Sequence, residues 1–388
     1  MLAGGIILGV ILIAANIFFA AKTDYGSSFY SYWLSGRVLL AQGENPYDDA
    51  LVEQVRNKYP DDPNLSGFSL PLYAVLPVIP FAFIDNFKTA LILWRLLLQA
   101  ALIYAGIKLI PAFRITNKLT PHAVCVTLMM ACYYGVIALI EGEISILAIT
   151  FMLIAISALQ DDEYELAGIM LAFCTIKPSL TLLPVLWILI WCLNNGRGTV
   201  AAWFGAVLAL LFLVGMLFQT NWYVPYLRSM LYYLKHLNPN NLSRIIETWQ
   251  SELGGRIGWA VSGVLLVIMI FEWILNAKGS REAMEWVLAL TLSVGFLVGI
   301  PNLGKHLYIL WIPAVYTMDK MVLRWERKGQ IYCFALALLA FVFPWISHLT
   351  IFSFLNPIEN LNFVLPFVVF LLLYWNRWWI IDTYVDEY

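Results

Sequence analysis

Residues 199–218 read TVAAWFGAVLALLFLVGMLF and contain no charged side chain. A helix of this length rises about 30 Å, at about 1.5 Å per residue, which matches the hydrocarbon core of a bilayer. Similar stretches recur along the chain of 388 residues. Overall, 61% of the residues are hydrophobic, only 12% are charged and the mean hydropathy is +0.77. A soluble globular protein needs more polar surface than this. The sequence therefore predicts an all-α polytopic membrane protein.

About twelve membrane-spanning helices are predicted from the apolar stretches. Residues 166–193 are too long for one span, since a straight helix would measure about 42 Å, and Pro178 predicts two short helices that meet at Lys177. The prolines within residues 68–84 leave two interpretations open, a span and a kinked re-entrant segment. The other predicted spans are residues 2–21 (a retained first helix), 87–112, 119–139, 144–159, 199–218, 257–275, 283–300, 307–318, 330–349 and 361–381.

Basic residues in the short connections predict the sidedness of each loop, because cytoplasmic loops carry an excess of Lys and Arg. The long polar segments 22–67 and 219–256 then lie outside, as do the acidic stretch 141–143 and residues 301–306. This arrangement requires that residues 68–84 do not cross and that residues 166–193 cross twice. A competing topology inverts residues 85–193, which moves Arg114 outside. The residues assigned to the cytoplasm are Arg114, Lys118, Arg197, Lys278, Arg281, Lys320, Arg324, Arg327 and Lys328.

The first long segment, residues 22–67, predicts two helices that lie in the membrane interface. The first covers residues 28–41 and has an apolar face that includes Tyr30 and Trp33. A turn follows, and a second short helix is expected to begin near Asp48. Both helices are therefore expected to lie on the outer surface of the membrane.

Charge, cysteine and histidine content argue against several classes of protein. A net charge of −2 and a pI of about 6.1 leave no basic surface for nucleic acid. The five cysteines lie in apolar stretches, and the four histidines are far apart in sequence. The sequence therefore predicts neither a disulfide framework nor a metal-binding cluster.

Two charged residues at the edges of apolar stretches are the first candidates for chemistry. Asp24 follows the first span among aromatic residues, where partial desolvation would raise the pKa of its carboxyl toward that of a general base. An ordinary interfacial acid is the alternative. Lys177 lies beside the helix-breaking Pro178, where an ammonium group would bind a lipid phosphate. A lysine whose charge snorkels or is ion-paired is the alternative there.

Several short motifs in the first outer segment resemble the pattern of glycosyltransferase family 87. That pattern contains an aspartate with an aromatic neighbour, a tyrosine pair, a small residue followed by Arg and two leucines, and an Asn-Pro-Tyr sequence. The matching residues here are Thr23-Asp24-Tyr25, Phe29-Tyr30, Ser35-Gly36-Arg37-Val38-Leu39-Leu40 and Gly43-Glu44-Asn45-Pro46-Tyr47-Asp48.

Later motifs follow in the family's order, so the resemblance extends over about residues 20 to 310. Three departures stand out: Leu70 replaces a tyrosine or proline, Glu143 replaces a glutamine, and the spacing from Asp24 to the tyrosine is one residue longer. The later motifs are Ser69-Leu70-Pro71-Leu72, Gly142-Glu143, Lys177-Pro178, Asn241-Leu242-Ser243 and Pro301 to His306.

The resemblance implies a GT-C type enzyme that is related to polyprenyl-phosphate-dependent mannosyltransferases. It implies an inverting transfer of a sugar, with mannose the first candidate, to a glycan or glycolipid acceptor. The site would face outward from the cell membrane, in contact with membrane lipids. No resident cofactor is implied, and a role for a divalent metal is left open.

The resemblance also implies roles for individual residues. Asp24 takes the position of the general base. Residues 1–198 would form the catalytic transmembrane module, and residues 199–388 a C-terminal transmembrane module with the outer loop 219–256. The predicted donor-phosphate ligands are Lys177, Arg244, Arg256, Lys305 and His306. The predicted sugar or acceptor ligands are Tyr30, Glu143, Asn241 and Ser243.

Each of these side chains also has a purely structural interpretation. Ser243 would cap a helix, Glu143 would be a solvated acid at a helix end, and Lys305 and His306 would anchor the chain at the membrane surface. The main alternative function is a flippase or transporter of lipid-linked sugars. The sequence shows no internal repeat of the kind found in many transporters, which favours the enzyme. A structural subunit of a cell-wall complex is the third interpretation.

Overall fold

The computed structural model describes residues 14, 16–18, 25–41, 43–60, 67–115, 131–236, 246–247, 253–299, 304–349 and 364–381. Over these residues the chain is helical, with turns and no β-strand, so the all-α prediction is confirmed. The helices are α1 Ser27–Ala41, α2 Asp49–Lys58, a 3₁₀ helix Leu72–Val78, α3 Ile79–Ala82, α4 Phe87–Ala112, α5 Tyr133–Glu141, α6 Ser145–Gln160, α7 Tyr164–Cys174, α8 Pro178–Asn194, α9 Gly198–Phe218, α10 Tyr223–His236, α11 Gly254–Asn276, α12 Arg281–Val298, a 3₁₀ helix Gly304–Leu310, α13 Trp311–Ala337, a π-helix Leu338–Val342, α14 Phe343–Leu349 and α15 Val364–Ile381.

Five helical segments of the described chain are long and apolar enough to cross a membrane. The consecutive helices α5 and α6 pass the same test as a pair, but the chain bends by 117° between them. They therefore form either one broken span or a re-entrant loop. The five segments are Phe87–Ala112, Gly198–Phe218, Gly254–Asn276, Lys305–Ile346 and Val364–Ile381.

The segment Lys305–Ile346 has 42 residues, and it folds back on itself. Glu326 has a non-helical backbone conformation (φ 45°, ψ −114°) that interrupts α13. The Cys333 thiol lies 3.3 Å from the Met318 carbonyl oxygen, whereas 15 residues of straight helix would separate them by about 22 Å. The segment is therefore a hairpin, and the predicted spans 307–318 and 330–349 lie one on each arm.

The predicted break at Lys177 is confirmed, since α7 ends at Cys174 and α8 begins at Pro178. Proline is favoured at the first position of a helix because the missing N–H group would have no partner there. The Thr181 hydroxyl donates to the Cys174 carbonyl across the break (2.9 Å). This bond stabilises the bend between α7 and α8, where Lys177 lies.

Helix α1 is more deeply buried than an interfacial helix. Residues outside the predicted apolar face, such as Phe29 and Tyr32, are as buried as Trp33 on that face. The reason is that α1 packs between α4 and the short helices of residues 72–82, which together are too short to cross a membrane. For example, Trp33 Nε1 donates to the Ile84 carbonyl (3.2 Å).

Helix α6 has 16 residues. At a rise of about 1.5 Å per residue, its two ends lie about 24 Å apart. At the Gln160 end, Arg114 donates to the Gln160 side chain (2.9 Å) and to Glu282 (2.7 Å). Arg281 donates to the Gln160 backbone carbonyl (2.9 Å). Arg114 and Arg281 thus lie on one side of the molecule, which is incompatible with the topology that inverts residues 85–193.

The hairpin predicts a specific sensitivity at Gly329. A Cβ atom at this position would collide with the Met321 carbonyl oxygen and lie 2.9 Å from the Val322 Cα. We expect Gly329→Ala to lower the free energy of unfolding by about 1–3 kcal/mol. Gly263→Ala is the matched control, because a Cβ there meets nothing within 4 Å. Thermal unfolding midpoints in detergent would test this, and equal midpoints for both variants would argue against the hairpin.

Candidate functional site

Glu143 lies at the bend between α5 and α6. Helix α5 ends in a Schellman motif, in which Gly142 N–H donates to Leu139 (3.1 Å) and Glu143 N–H donates to Ala138 (2.9 Å). Gly142 has φ +69°, the left-handed conformation that glycine adopts without strain. The motif turns the chain sharply and directs Glu143 into the protein, where it is only 2% exposed.

Helix α4 holds this bend from the other side. Trp94 Nε1 donates to the Gly142 carbonyl (2.9 Å), and Arg95 Nε donates to the Ile140 carbonyl (3.0 Å). A cation at a helix C-terminus satisfies carbonyl groups that have no partner within the helix. The ring of Phe29 stacks on Trp94 at 5.3 Å and so connects α1 to the same bend.

Two lysines from distant segments pair with the Glu143 carboxylate. Lys305 Nζ lies 2.8 Å from Oε1, and Lys177 Nζ lies 3.2 Å from Oε2. A buried carboxylate without such partners would cost several kcal/mol. The lysine side chains remain 15% and 10% exposed, respectively, so the site is not fully closed.

Three further side chains contact the same carboxylate. The Ser28 hydroxyl donates to Oε1 (2.8 Å), and the Tyr32 hydroxyl donates to Oε2 (3.4 Å). His306 Nε2 lies 3.4 Å from Oε2. Ser28 also accepts a hydrogen bond from Lys305 Nζ (2.6 Å). Over the described chain, the two oxygens of Glu143 are thus shared by five side chains, which we call the Glu143 cluster: Ser28, Tyr32, Lys177, Lys305 and His306.

Glu141 secures the beginning of α1 next to this cluster. Its carboxylate accepts hydrogen bonds from the Ser27 backbone N–H (2.9 Å) and from the Ser27 hydroxyl (2.5 Å). A negative charge is favourable at a helix N-terminus, where backbone N–H groups lack partners. Within the short sequence Glu141-Gly142-Glu143, Glu141 therefore binds the beginning of α1, and Glu143 binds the two lysines.

The structure brings together four of the residues that the sequence singled out: Glu143, Lys177, Lys305 and His306. All four were assigned to ligand binding, and the two predicted modules both contribute, since Lys305 and His306 belong to residues 199–388. Glu143 would have to give up one of its present partners to bind a sugar hydroxyl, because a carboxylate offers about four acceptor positions.

Other predicted ligands lie elsewhere or outside the described residues. Tyr30 lies two positions after Ser28, about 200° around α1, and its ring packs on Trp33 and Phe87. Partial burial raises the pKa of the Tyr30 hydroxyl. Arg256 is exposed near the start of α11. The predicted residues that lie outside the described chain are Asp24, Asn241, Ser243 and Arg244.

Sequence reasoning missed Ser28, Tyr32, Trp94 and Arg95. Ser28 and Tyr32 are four positions apart and so lie on one face of α1, but this face is obscured in the sequence because α1 is buried on most sides. Arg95 offered a usable signal, as an arginine within the apolar residues 87–112. A charge in such a position is normally paired or functional.

The cluster is suited to binding an anion. Each lysine ammonium carries three N–H donors on a partly accessible side chain, and charge-assisted bonds to phosphate or carboxylate oxygens are the strongest that it forms. The Nδ1 atom of His306 is buried without a hydrogen-bond partner in the described structure. No group of three or more His, Cys, Asp or Glu residues suited to a metal ion occurs among the described residues.

Comparison with known proteins identified a family. The model of glycosyltransferase family 87 matches residues 68–301, which is more than half of the chain. The match includes Glu143 and Lys177, whereas the first-segment motifs around Asp24 lie before it. Searches of curated proteins and of solved structures found no match.

The geometry of the bend predicts that Gly142 tolerates no side chain. A Cβ atom would lie 2.7 Å from Phe29 Cβ and 3.1 Å from Trp94 Cδ1. Gly196→Ala is a matched control, since Gly196 has nearly the same backbone (φ +71°) and nothing within 4 Å. Both variants bear about 1–2 kcal/mol of backbone strain, and Gly142→Ala should lose about 1–3 kcal/mol more. Similar thermal midpoints would contradict this packing.

Proposed function

We propose that this chain, which belongs to glycosyltransferase family 87 and is therefore a glycosyltransferase, transfers a hexose from a polyprenyl-phosphate donor to an acceptor hydroxyl. Mannose is the first candidate for the sugar, and a glycan or glycolipid for the acceptor. The reaction would take place at the outer face of the cell membrane. The observation that carries the proposal is the pair of lysines, Lys177 and Lys305, on the buried Glu143 carboxylate.

Lys177 and Lys305 are proposed to bind the donor phosphate. Lys177 immediately precedes α8, and Lys305 lies in the 3₁₀ helix that precedes α13. Their ammonium groups therefore lie at one end of these apolar helices. A polyprenyl phosphate has the same polarity, with an anionic head and a long apolar tail. Lys177 precedes α8, whose positive N-terminal dipole further favours an anion at this place. His306 lies in the same cluster and offers an additional donor.

Glu143 is proposed to hold the two lysines at a fixed separation. Its oxygens are shared by five side chains, so its carboxylate is a poor acceptor for a substrate proton. With Glu143 neutralising one ammonium charge, the second remains available to stabilise the phosphate that leaves. This division of roles requires a different group to act as the general base.

Asp24 is the proposed general base. It precedes Ser27 and Ser28 by three and four positions in sequence, and these serines contact Glu141 and Glu143. Asp24 would accept the proton of the acceptor hydroxyl while the hydroxyl oxygen attacks the anomeric carbon. The bond from that carbon to the phosphate oxygen breaks in the same step, and the polyprenyl phosphate leaves with the electron pair. One direct displacement inverts the anomeric configuration.

We further propose a GT-C architecture of about twelve spans for the complete chain. Five candidate spans and the bent pair α5–α6 support it, as does the hairpin that gives residues 305–346 two arms. The remaining predicted spans are the two within residues 166–193, which correspond to α7 and α8, residues 283–300, which correspond to α12, and residues 2–21, which lie largely outside the described residues. Division into modules at residue 198 is retained, with the cluster completed by Lys305 and His306 of the second module.

Replacing the proposed base should abolish transfer. Asp24→Asn is expected to reduce the rate by about 10²–10⁴-fold, the usual contribution of a general base. The assay would follow a labelled sugar from synthetic polyprenyl-phosphate mannose to acceptors in membranes that lack the protein. Asp161→Asn, an exposed acid after α6, is the control. Full activity of Asp24→Asn, or movement of unmodified donor without product, would contradict the proposal.

Removing a phosphate ligand should act mainly on the donor. Lys177→Gln is expected to raise the donor KM about 10- to 100-fold, corresponding to a charged hydrogen bond of about 1.5–3 kcal/mol. Glu143 keeps Lys305 as a partner in this variant, so the fold should survive. Lys108→Gln on α4, where the ammonium lies over the Tyr104 ring, is the control. An unchanged donor KM for Lys177→Gln would remove Lys177 from the donor site.

A further inference from the structure

A groove of about 700 Å³ lies between the hairpin and α15, and most of its hairpin lining comes from the second arm. Its described lining is apolar or aromatic except for Lys328, which lies beside the bend at Glu326. Tyr332 and Trp375 line it and are 50% and 65% exposed. The groove is therefore open sideways, toward the surface that faces lipid.

The groove is about one leaflet deep. Its lining on the hairpin arm extends from Lys328 to Leu339, and 11 helical residues rise about 17 Å. Half of a hydrocarbon core of about 30 Å is about 15 Å. The charged end of the groove thus lies where a headgroup would be, and Leu339 lies near the level at which acyl chains end.

The groove and the Glu143 cluster belong to opposite ends of the molecule. The first arm of the hairpin begins at Lys305, in the cluster, and ends at Glu326, about 30 Å away by helical rise. A lipid in the groove therefore occupies the leaflet opposite the proposed donor. The two lipid sites are distinct by geometry.

The charge around the bend favours an anionic headgroup. Arg324, Arg327 and Lys328 surround Glu326, so the bend carries an excess of positive charge. Arg324 lies over the Trp379 ring (5.0 Å), close to α15. Basic residues next to aromatic residues at a helix end are the usual environment of phospholipid headgroups.

We propose that this groove binds an anionic phospholipid of the leaflet that surrounds the bend at Glu326. An acyl chain would lie along Leu336 and Leu339, and the headgroup phosphate would bind Lys328. The apolar lining accounts for binding of the chain, and Lys328, with Arg324 and Arg327 nearby, accounts for selection of a head with a net negative charge. Such a lipid would connect the hairpin arm to α15.

Native mass spectrometry of the full chain in detergent tests the charge selection. Phosphatidylglycerol and phosphatidylcholine with identical acyl chains would be titrated separately. We expect phosphatidylglycerol to bind the wild type more tightly, and Lys328→Gln to weaken its binding about fivefold. Binding of phosphatidylcholine, whose choline cancels the phosphate charge, should change less. Lys108→Gln is the control for loss of a lysine elsewhere. Equal binding of the two lipids by the wild type would overturn the proposal.

A second pair of variants tests the groove itself. Ala335 lines the groove and Ile331 does not, yet both are exposed on the same arm. Ala335→Phe should fill the groove and abolish tight phosphatidylglycerol binding, whereas Ile331→Phe should leave it unchanged. If Lys177→Gln lowered this binding and Ala335→Phe did not, the lipid would belong to the cluster and the groove proposal would fail.

Discussion

The Glu143 carboxylate is buried at a sharp bend between two helices, where a charge without partners would cost several kcal/mol. Its partners come from α1, from the break at Lys177 and from the 3₁₀ helix that precedes α13. Because all of these contacts converge on two oxygens, segments separated by more than 270 positions in sequence are held together. The bend itself depends on Gly142 and on Trp94 and Arg95 of α4.

This arrangement gives the molecule two chemically different ends. The Glu143 end collects partly accessible lysines and the beginning of α1. The other end of α6 has Arg114 and Arg281 around Gln160, and these bonds are structural links between helices. At the exposed acid Asp162 beside them, hydrogen bonds from Tyr164 and Arg281 lower the pKa of the carboxyl. The proposed lipid-phosphate donor would require such asymmetry, because its head would bind at one membrane surface only.

Several features followed from local sequence. Apolar lengths predicted the helical membrane class, Pro178 predicted the break at Lys177, and the acidic stretch 141–143 was placed on the same side as Lys305. The burial of α1 was not predicted, because its apolar face at helical spacing suggested a helix that lies in the membrane interface. Its serines and glycine allow the remaining sides to pack closely as well, as Gly36 does against Ala82.

By itself, the sequence determined the helical class, the helix break at Lys177 and the placement of residues 141–143 and Lys305 at one end of the molecule, because apolar length, proline and loop charge act locally. Only the tertiary structure decided that Ser28, Glu143, Lys177 and Lys305 form one cluster, since contacts between distant segments leave no periodic pattern. The reversal between the predicted spans 307–318 and 330–349 was expected from the sequence, but its position at Glu326 was decided in three dimensions. There the bend and the approach of α15 together create a groove whose lining residues are scattered along two apolar stretches.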